Sequence, residues 1–318
     1  MNVTSNPAVQ GTLRVMRHVI RLAGLAPAPE LVISAEEFSL LQVARHILSS
    51  AFSIEEKYEI LIANFLALET QILDIAAINV VRNTLTYSEF FETRSALNVR
   101  MVNLLTAARL YLDQLPQDIA DCLPSNDTVP SLVKARCSKE YDQHFEYRFM
   151  EALRNHAQHR GIPIHFVSQG AHWTSHDEYG RMEFVVDIVA QRRYLEEDEK
   201  FKKLILEEVS GDVDLTAACR RYIESLSAIN QFARDLIAES VNGSRQTIEG
   251  AHKRYSELYS GNLLGLSAMA LQDGRETSSV PLLLDWDDVR LALQKRNSQL
   301  VNLRKRYATG RTRDDRSM

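Results

Sequence analysis

Glu151-Ala152-Leu153-Arg154-Asn155-His156-Ala157-Gln158-His159-Arg160-Gly161-Ile162-Pro163 closes an amphipathic helix on an arginine, an amide and a histidine. Upstream, Tyr141, Phe145, Phe149, Ala152 and His156 share one apolar stripe, which places His156 in the core and extends the helix from about Ser131 to Arg160. Gly161 and Pro163 end it, because glycine tolerates a left-handed cap and proline cannot continue the hydrogen-bond ladder. Arg154 and His159 lie off that stripe or at its edge. A guanidinium holds phosphate with two prongs, and an imidazole moves protons near neutral pH. Asn155 and His159, four residues apart, share a face on which the amide can orient the ring. At roughly 100° per residue, Arg154 and His159 emerge about 140° apart. One helix end does not converge them; two copies related by a two-fold axis bring both into one cleft.

Working outward, helical periodicity dominates. Leu13, Met16, Val19, Ile20 and Ala23 recur at three- and four-residue steps and predict a helix ended by Gly24 and Pro27. Ser34 with Glu37 reads as a capping box for a helix through about Leu48. Ser53 with Glu55 and Glu56 opens another, running to about Val81, and a third spans about Ser88 to Leu115, stopped by Pro116. Pro124–Thr128 is a loop by composition. Ile162–Ser168 and Met182–Val189 alternate like the two arms of a β-hairpin. Helices return over about Tyr194–Val209, Leu215–Ser240, Gln246–Gln272 and Asp285–Tyr307, the last capped by Asp285 and Asp288. The acidic run Glu196–Glu199 suits a first helical turn, where it complements the dipole. The expected fold is mainly α with one β-hairpin, divided into N-terminal helices over 1–52, a core with the hairpin over 53–190 and a C-terminal helical region over 191–318.

Composition narrows the function. The chain has 318 residues, 45% hydrophobic and 25% charged, which is the balance of a globular protein. Glu, Gln, Asn or Arg interrupts each apolar run, so no membrane span is expected. Arg14, Arg17 and Arg21 are spread through the first apolar segment, unlike a secretory leader. Cys122, Cys137 and Cys219 form no Cys-x-x-Cys pair and fit reduced thiols in a cytoplasmic protein. A net charge of -5 disfavours nonspecific coating of nucleic acid but permits one local basic cleft. The tail Leu303-Arg304-Lys305-Arg306-Tyr307, with Arg311, Arg313 and Arg316, is basic and reads as a frayed helix end with a solvated terminus.

Arg154-Asn155-(three residues)-His159 resembles the Arg-x4-His signature of HEPN ribonucleases, and Ser53–Arg160 is similar to the helical HEPN core. The resemblance implies a HEPN-like bundle with a hairpin insertion and flanking helices. It also implies a symmetric homodimer and a metal-independent endoribonuclease of a defence or toxin system, such as a phage-defence nuclease, needing no cofactor. RNA is the substrate, and an antitoxin or regulatory partner is expected. Arg154 would stabilise the phosphorane, His159 would carry the proton and Asn155 would orient the imidazole or the substrate. In many HEPN toxins a tyrosine stands two residues after the histidine as the site of modification; here that residue is Gly161. Glu69 or Asn64 would be the residue that steadies the arginine. Two alternatives stay open. Arg154 and His159 could merely cap and pair in a non-catalytic helical interaction protein, or His165, His172 and His176 with Asp177 could hold a metal for hydrolysis.

Overall fold

The computed structural model describes residues 16–23, 29–82, 86–176, 180–261 and 263–308. Helices dominate, accompanied among the described residues by two small antiparallel sheets. The chain forms two compact units, Met1–Ala51 with Ala238–Val289, and Phe52–Ile237 with Arg290–Met318. These cut the chain differently from the three consecutive segments read in the sequence.

In the first unit the segment expected as a helix is strand β1, Met16–Leu22; Leu13 lies outside the described residues. β1 is flanked by β2, Leu31–Ile33, and by β6, Leu266–Gln272, which pairs in turn with β7, Arg275–Pro281. The three- and four-residue recurrence ran over too few residues to distinguish a buried strand from a helix. Val19 packs with Met269 and Leu271, and all three are buried. β6 corrects the helix expected to reach Gln272. Its hairpin turns at Asp273 and Gly274, with φ of 51° and 77°, the positive pair that a tight two-residue turn demands.

Helix α1, Ala35–Val81, begins at Ser34, whose Oγ accepts the Glu37 amide at 3.1 Å. It is one helix where two were expected. Leu41, Ala44, Leu48, Ala51, Tyr58, Leu61, Phe65 and Leu68 are all buried on one unbroken stripe, so Ser53 lies inside the helix and does not cap it. By length and composition α1 is apolar enough to cross a membrane, contrary to the expectation from its polar interruptions. Three of its carboxylates are nevertheless committed to arginines: Glu55 to Arg234, Glu59 to Arg296 and Glu69 to Arg220.

The second unit holds most of the helical bundle. Helix α2, Tyr87–Cys122, opens on a capping box between Thr86 and Glu89 and continues through Pro116, because Leu115, Ile119 and Cys122 still have a core to bury. The long helix expected before Gly161 is two: α3, Val129–Gln143, and α4, Phe145–His159, separated by His144 in extended conformation. β3, Phe166–Trp173, and β4, Met182–Ala190, form the expected hairpin with Ser168 opposite Asp187, and β5, Val213–Asp214, adds a third strand. Tyr194–Val209 contains two short helices, α5 at Arg192–Glu196 and α6 at Lys203–Glu208. The acidic run therefore ends α5 and enters a loop; it does not open a helix. α7, Leu215–Ser256, is continuous where a break near Ser240 was expected, and α8, Asp285–Arg296, stops short of the expected Tyr307, followed by a 3-10 turn at Leu303–Lys305.

A deeply buried ion pair lies within the bundle. Arg234 grips both oxygens of Glu55 at 2.8 and 2.6 Å, and Gln294 donates to the same carboxylate at 3.0 Å. Glu55 is 1% exposed. Removing one partner strands the other charge away from water, which costs about 3–5 kcal/mol. Arg234→Met should lower the unfolding free energy by that amount in urea titrations. Glu55→Gln with Arg234→Met should recover part of the loss, as expected if the penalty comes from the stranded charge.

Candidate active site

α4 presents its last turn to the loop between α5 and α6. His156 is 6% exposed, as the apolar stripe predicts, yet it is not a passive core residue. Its Nδ1 lies 2.8 Å from Oδ2 of Asp198, whose side chain is 5% exposed. A carboxylate accepts only, so Nδ1 carries the proton and Nε2 is the free nitrogen. Asp198 also accepts the Lys200 amide at 3.0 Å, and Arg160 Nε lies 3.8 Å from its Oδ1. Burial acts to raise the Asp198 carboxyl, but the bonds from His156 and from the Lys200 amide outweigh it and hold its pKa below the ordinary value.

Gly161 has a reason other than the left-handed cap expected of it, since the positive-φ glycines among the described residues are Gly265 and Gly274. A Cβ at position 161 would sit 2.7 Å from His156 Nε2. That nitrogen packs so close to the Gly161 backbone that only glycine fits there without shifting the ring.

His165 enters the same cavity from the start of the hairpin. Asn98 on buried α2 clamps the chain there: its Oδ1 accepts the Ile164 amide at 2.9 Å and its Nδ2 donates to the Ile164 carbonyl at 3.1 Å. The rings of His156 and His165 are 5.8 Å apart edge to face, and Tyr194 lies 5.0 Å from His165. His165 Nδ1 accepts the Gln191 amide at 3.0 Å. Burial and the neighbouring His156 push the His165 pKa down to about 4, so it is neutral near pH 7.

Two cavities meet at this helix end. One of about 590 Å³ is lined by Arg94, His156, Arg160, His165, Tyr194 and Asp198 among others; the second, of about 490 Å³, shares His156, Arg160 and Asp198 and adds Asn155, His159, Lys200 and Lys202. His156, His159 and Arg160 all line the second cavity. Arg154 does not line either cavity. Its Nη1 donates to Gln158 at 2.7 Å, and it faces a third groove that also borders Asn155. Of the residues singled out in the sequence, the structure brings Asn155 and His159 together and sets Arg154 apart from His159. Glu69 is held by Arg220 and Asn64 donates to the Ile60 carbonyl, so each has its own partner within the bundle.

Among the described residues no three of His, Cys, Asp and Glu are grouped to hold a metal. His172 lies on β3 opposite Glu183, 3.4 Å away, while His165 faces Tyr194; Asp177 is outside the described residues. Sequence reasoning gave Asp198, Arg160 and Tyr194 no part in a site, read His165 only as a candidate metal ligand, and read His156 as packing alone. The crowding of histidines between His144 and His176 was the available signal; nothing in the sequence linked Asp198 to His156 across 42 residues. No family model, no curated protein and no solved structure matches the chain.

A pH dependence of stability follows from His165. Its folded pKa, about 4, lies below the value near 6.5 of an unfolded histidine. The unfolded chain therefore binds the proton first, and stability is fully present above about pH 6.5 and falls as pH drops toward 4. Urea unfolding at pH 7 and at pH 4.5 should show this loss. His165→Asn, which keeps an acceptor for the Gln191 amide, should make it smaller.

Proposed function

We propose that this chain is a metal-independent endoribonuclease of defence or toxin type, cutting RNA in the cleft at the end of α4. The observation that carries the reading is His156, fixed through Nδ1 by a buried carboxylate and lining both cavities together with Arg160. The short resemblance to HEPN ribonucleases agrees with it in reaction class. The residues assigned here differ in part, because Arg154 faces away from both cavities.

In this scheme Nε2 of His156 takes the proton of the 2′-hydroxyl. The 2′-oxygen attacks phosphorus, and the imidazolium that forms is stabilised by Asp198. Arg160, permanently charged and shaped for two oxygens, neutralises the phosphorane, with Arg94 at the far wall. The bond from phosphorus to the 5′-oxygen breaks, and His159 as an imidazolium gives that oxygen its proton. The products are a 2′,3′-cyclic phosphate and a 5′-hydroxyl. Asn155 borders the cleft between His159 and Lys202 and positions the strand.

A homodimer is part of the proposal. Ala63, Leu66, Thr70, Leu73, Ala77 and Val80 of α1 are exposed at alternating three- and four-residue steps, the spacing by which helices pair. The same stripe also favours the second reading, a helical interaction protein without catalysis. Sedimentation gives the mass, and mixed dimers with one His159→Ala subunit test whether both copies serve a cleft.

Incubation of the purified protein with total RNA in EDTA, followed by mapping of the new ends, tests the chemistry. Cyclic phosphates and 5′-hydroxyls are the expected termini. His156→Ala and His159→Ala should each lower the rate about 10²–10⁴-fold, and Arg160→Ala about 10²–10³-fold. Cleavage abolished by EDTA and restored by magnesium or zinc would contradict the proposal. Full activity in His156→Ala would do so too.

A further inference from the structure

The groove that Arg154 faces has a composition of its own. It lies between α2, α3 and α4, holds about 520 Å³, and is a size that admits a nucleotide. Leu112, Pro116 and Val133 are among its apolar lining, and Tyr141 lines it too, with the Lys202 ammonium 5.1 Å and the Arg148 guanidinium 6.0 Å from its ring centre. Pro116 supplies no N–H to the Leu112 carbonyl, so the usual helical donor is missing for that acceptor.

Cations gather around this apolar surface: Arg109, Lys134, Arg154 and Lys202. The carboxylate among them, Glu151, already accepts the buried Tyr222 hydroxyl at 2.5 Å. Arg109 pairs with Asp113 at 2.6 Å on the surface, and Lys202 reaches the Tyr141 hydroxyl at 3.2 Å. Arg154 is less committed. Its described partner is the neutral Gln158, and its Nε is buried with no hydrogen-bond partner. In a chain of net charge -5, such a local excess of positive groups over an apolar floor is a built feature of this face.

We infer that this groove is a nucleotide subsite for single-stranded RNA, which takes the base of a nucleotide flanking the scissile phosphate. The base lies against Leu112, Pro116 and Val133 with Tyr141 as a stacking partner, and Arg154 and Lys202 hold the adjoining phosphate. Asn155 and Lys202 line both this groove and the cavity that contains His159, so a strand held here leads directly to the proton-transfer residues. The inference rests on the proposed RNA cleavage and gives Arg154 a role in it: it binds substrate and does not stabilise the phosphorane.

The experiment uses a fluorescent hexanucleotide with 2′-O-methyl sugars, which cannot be cleaved, and reads anisotropy with the full chain over a range of salt. Lys134→Glu and Arg154→Gln should each weaken binding at least ten-fold, while Lys295→Glu, an exposed charge that lines neither the groove nor the two cavities, binds like the unaltered protein. Each variant that removes a phosphate contact should lower the slope of log affinity against log salt by about 0.7. Lys134 is exposed, so its charge reversal separates a binding effect from misfolding. Unchanged affinity in both groove variants would overturn the subsite. Binding of AMP through these residues without binding of the oligonucleotide would also overturn it, in favour of a free-nucleotide site. If the oligonucleotide binds through the groove but neither His156→Ala nor His159→Ala slows cleavage, the proposed chemistry fails while the subsite stands.

Discussion

A hydrogen bond between a buried imidazole and a buried carboxylate, His156 to Asp198 at 2.8 Å, organises the helix end where the two cavities meet. Neither group tolerates burial alone, since an unpaired charge or donor in a dry environment costs several kcal/mol. Joined, they lock the ring in one tautomer and tie the end of α4 to the loop between α5 and α6. That tie is continued by the Lys200 amide on the same carboxylate and by Phe201, whose amide bonds to the Asp198 carbonyl at 2.8 Å and whose ring meets His156 edge to face. The two cavities at the helix end share His156, Arg160 and Asp198.

The surrounding positions serve the same geometry by different means. Asn98 acts as a side-chain substitute for a neighbouring strand, pairing with both backbone groups of Ile164 and so delivering His165 to the cavity. Gly161 acts by what it lacks, since any β-carbon there would displace the ring or block its nitrogen. The neutral His165 keeps a second positive charge away from His156 while still lining the cavity. Positive charge is supplied instead by arginine and lysine, which stay charged at neutral pH.

The mainly helical architecture and the 166–190 hairpin were legible because long stretches of regular periodicity leave few alternatives. Strand β1 was not, since seven residues containing Val19 and Ile20 satisfy either period when both faces are covered. The β6–β7 hairpin was legible in principle: Asp273-Gly274 between two strand-like runs is a strong turn signal, and the helical pattern upstream obscured it. Pro116 and Ser53 misled for a common reason. A local breaker or cap yields when the apolar stripe continues past it and a core is there to receive it. Within the motif, Asn155 and His159 line one cavity and Arg154 faces another groove. Arg154 and His159 diverge as the helical wheel requires, and the partner of His156 comes from a segment whose acidity looked like dipole compensation. Contacts made 42 residues apart are set by tertiary folding and leave no local trace.

In the proposed mechanism His156 Nε2 is the reacting nitrogen. Gly161→Ala tests it most directly, because the added methyl falls 2.7 Å from that atom and adds no charge or hydrogen-bonding group. Initial rates of RNA cleavage in EDTA should drop about 100-fold or more, with the folded protein otherwise retained by circular dichroism and urea unfolding. A Gly161→Ala protein that cleaves RNA at the unaltered rate would show that another group takes the proton.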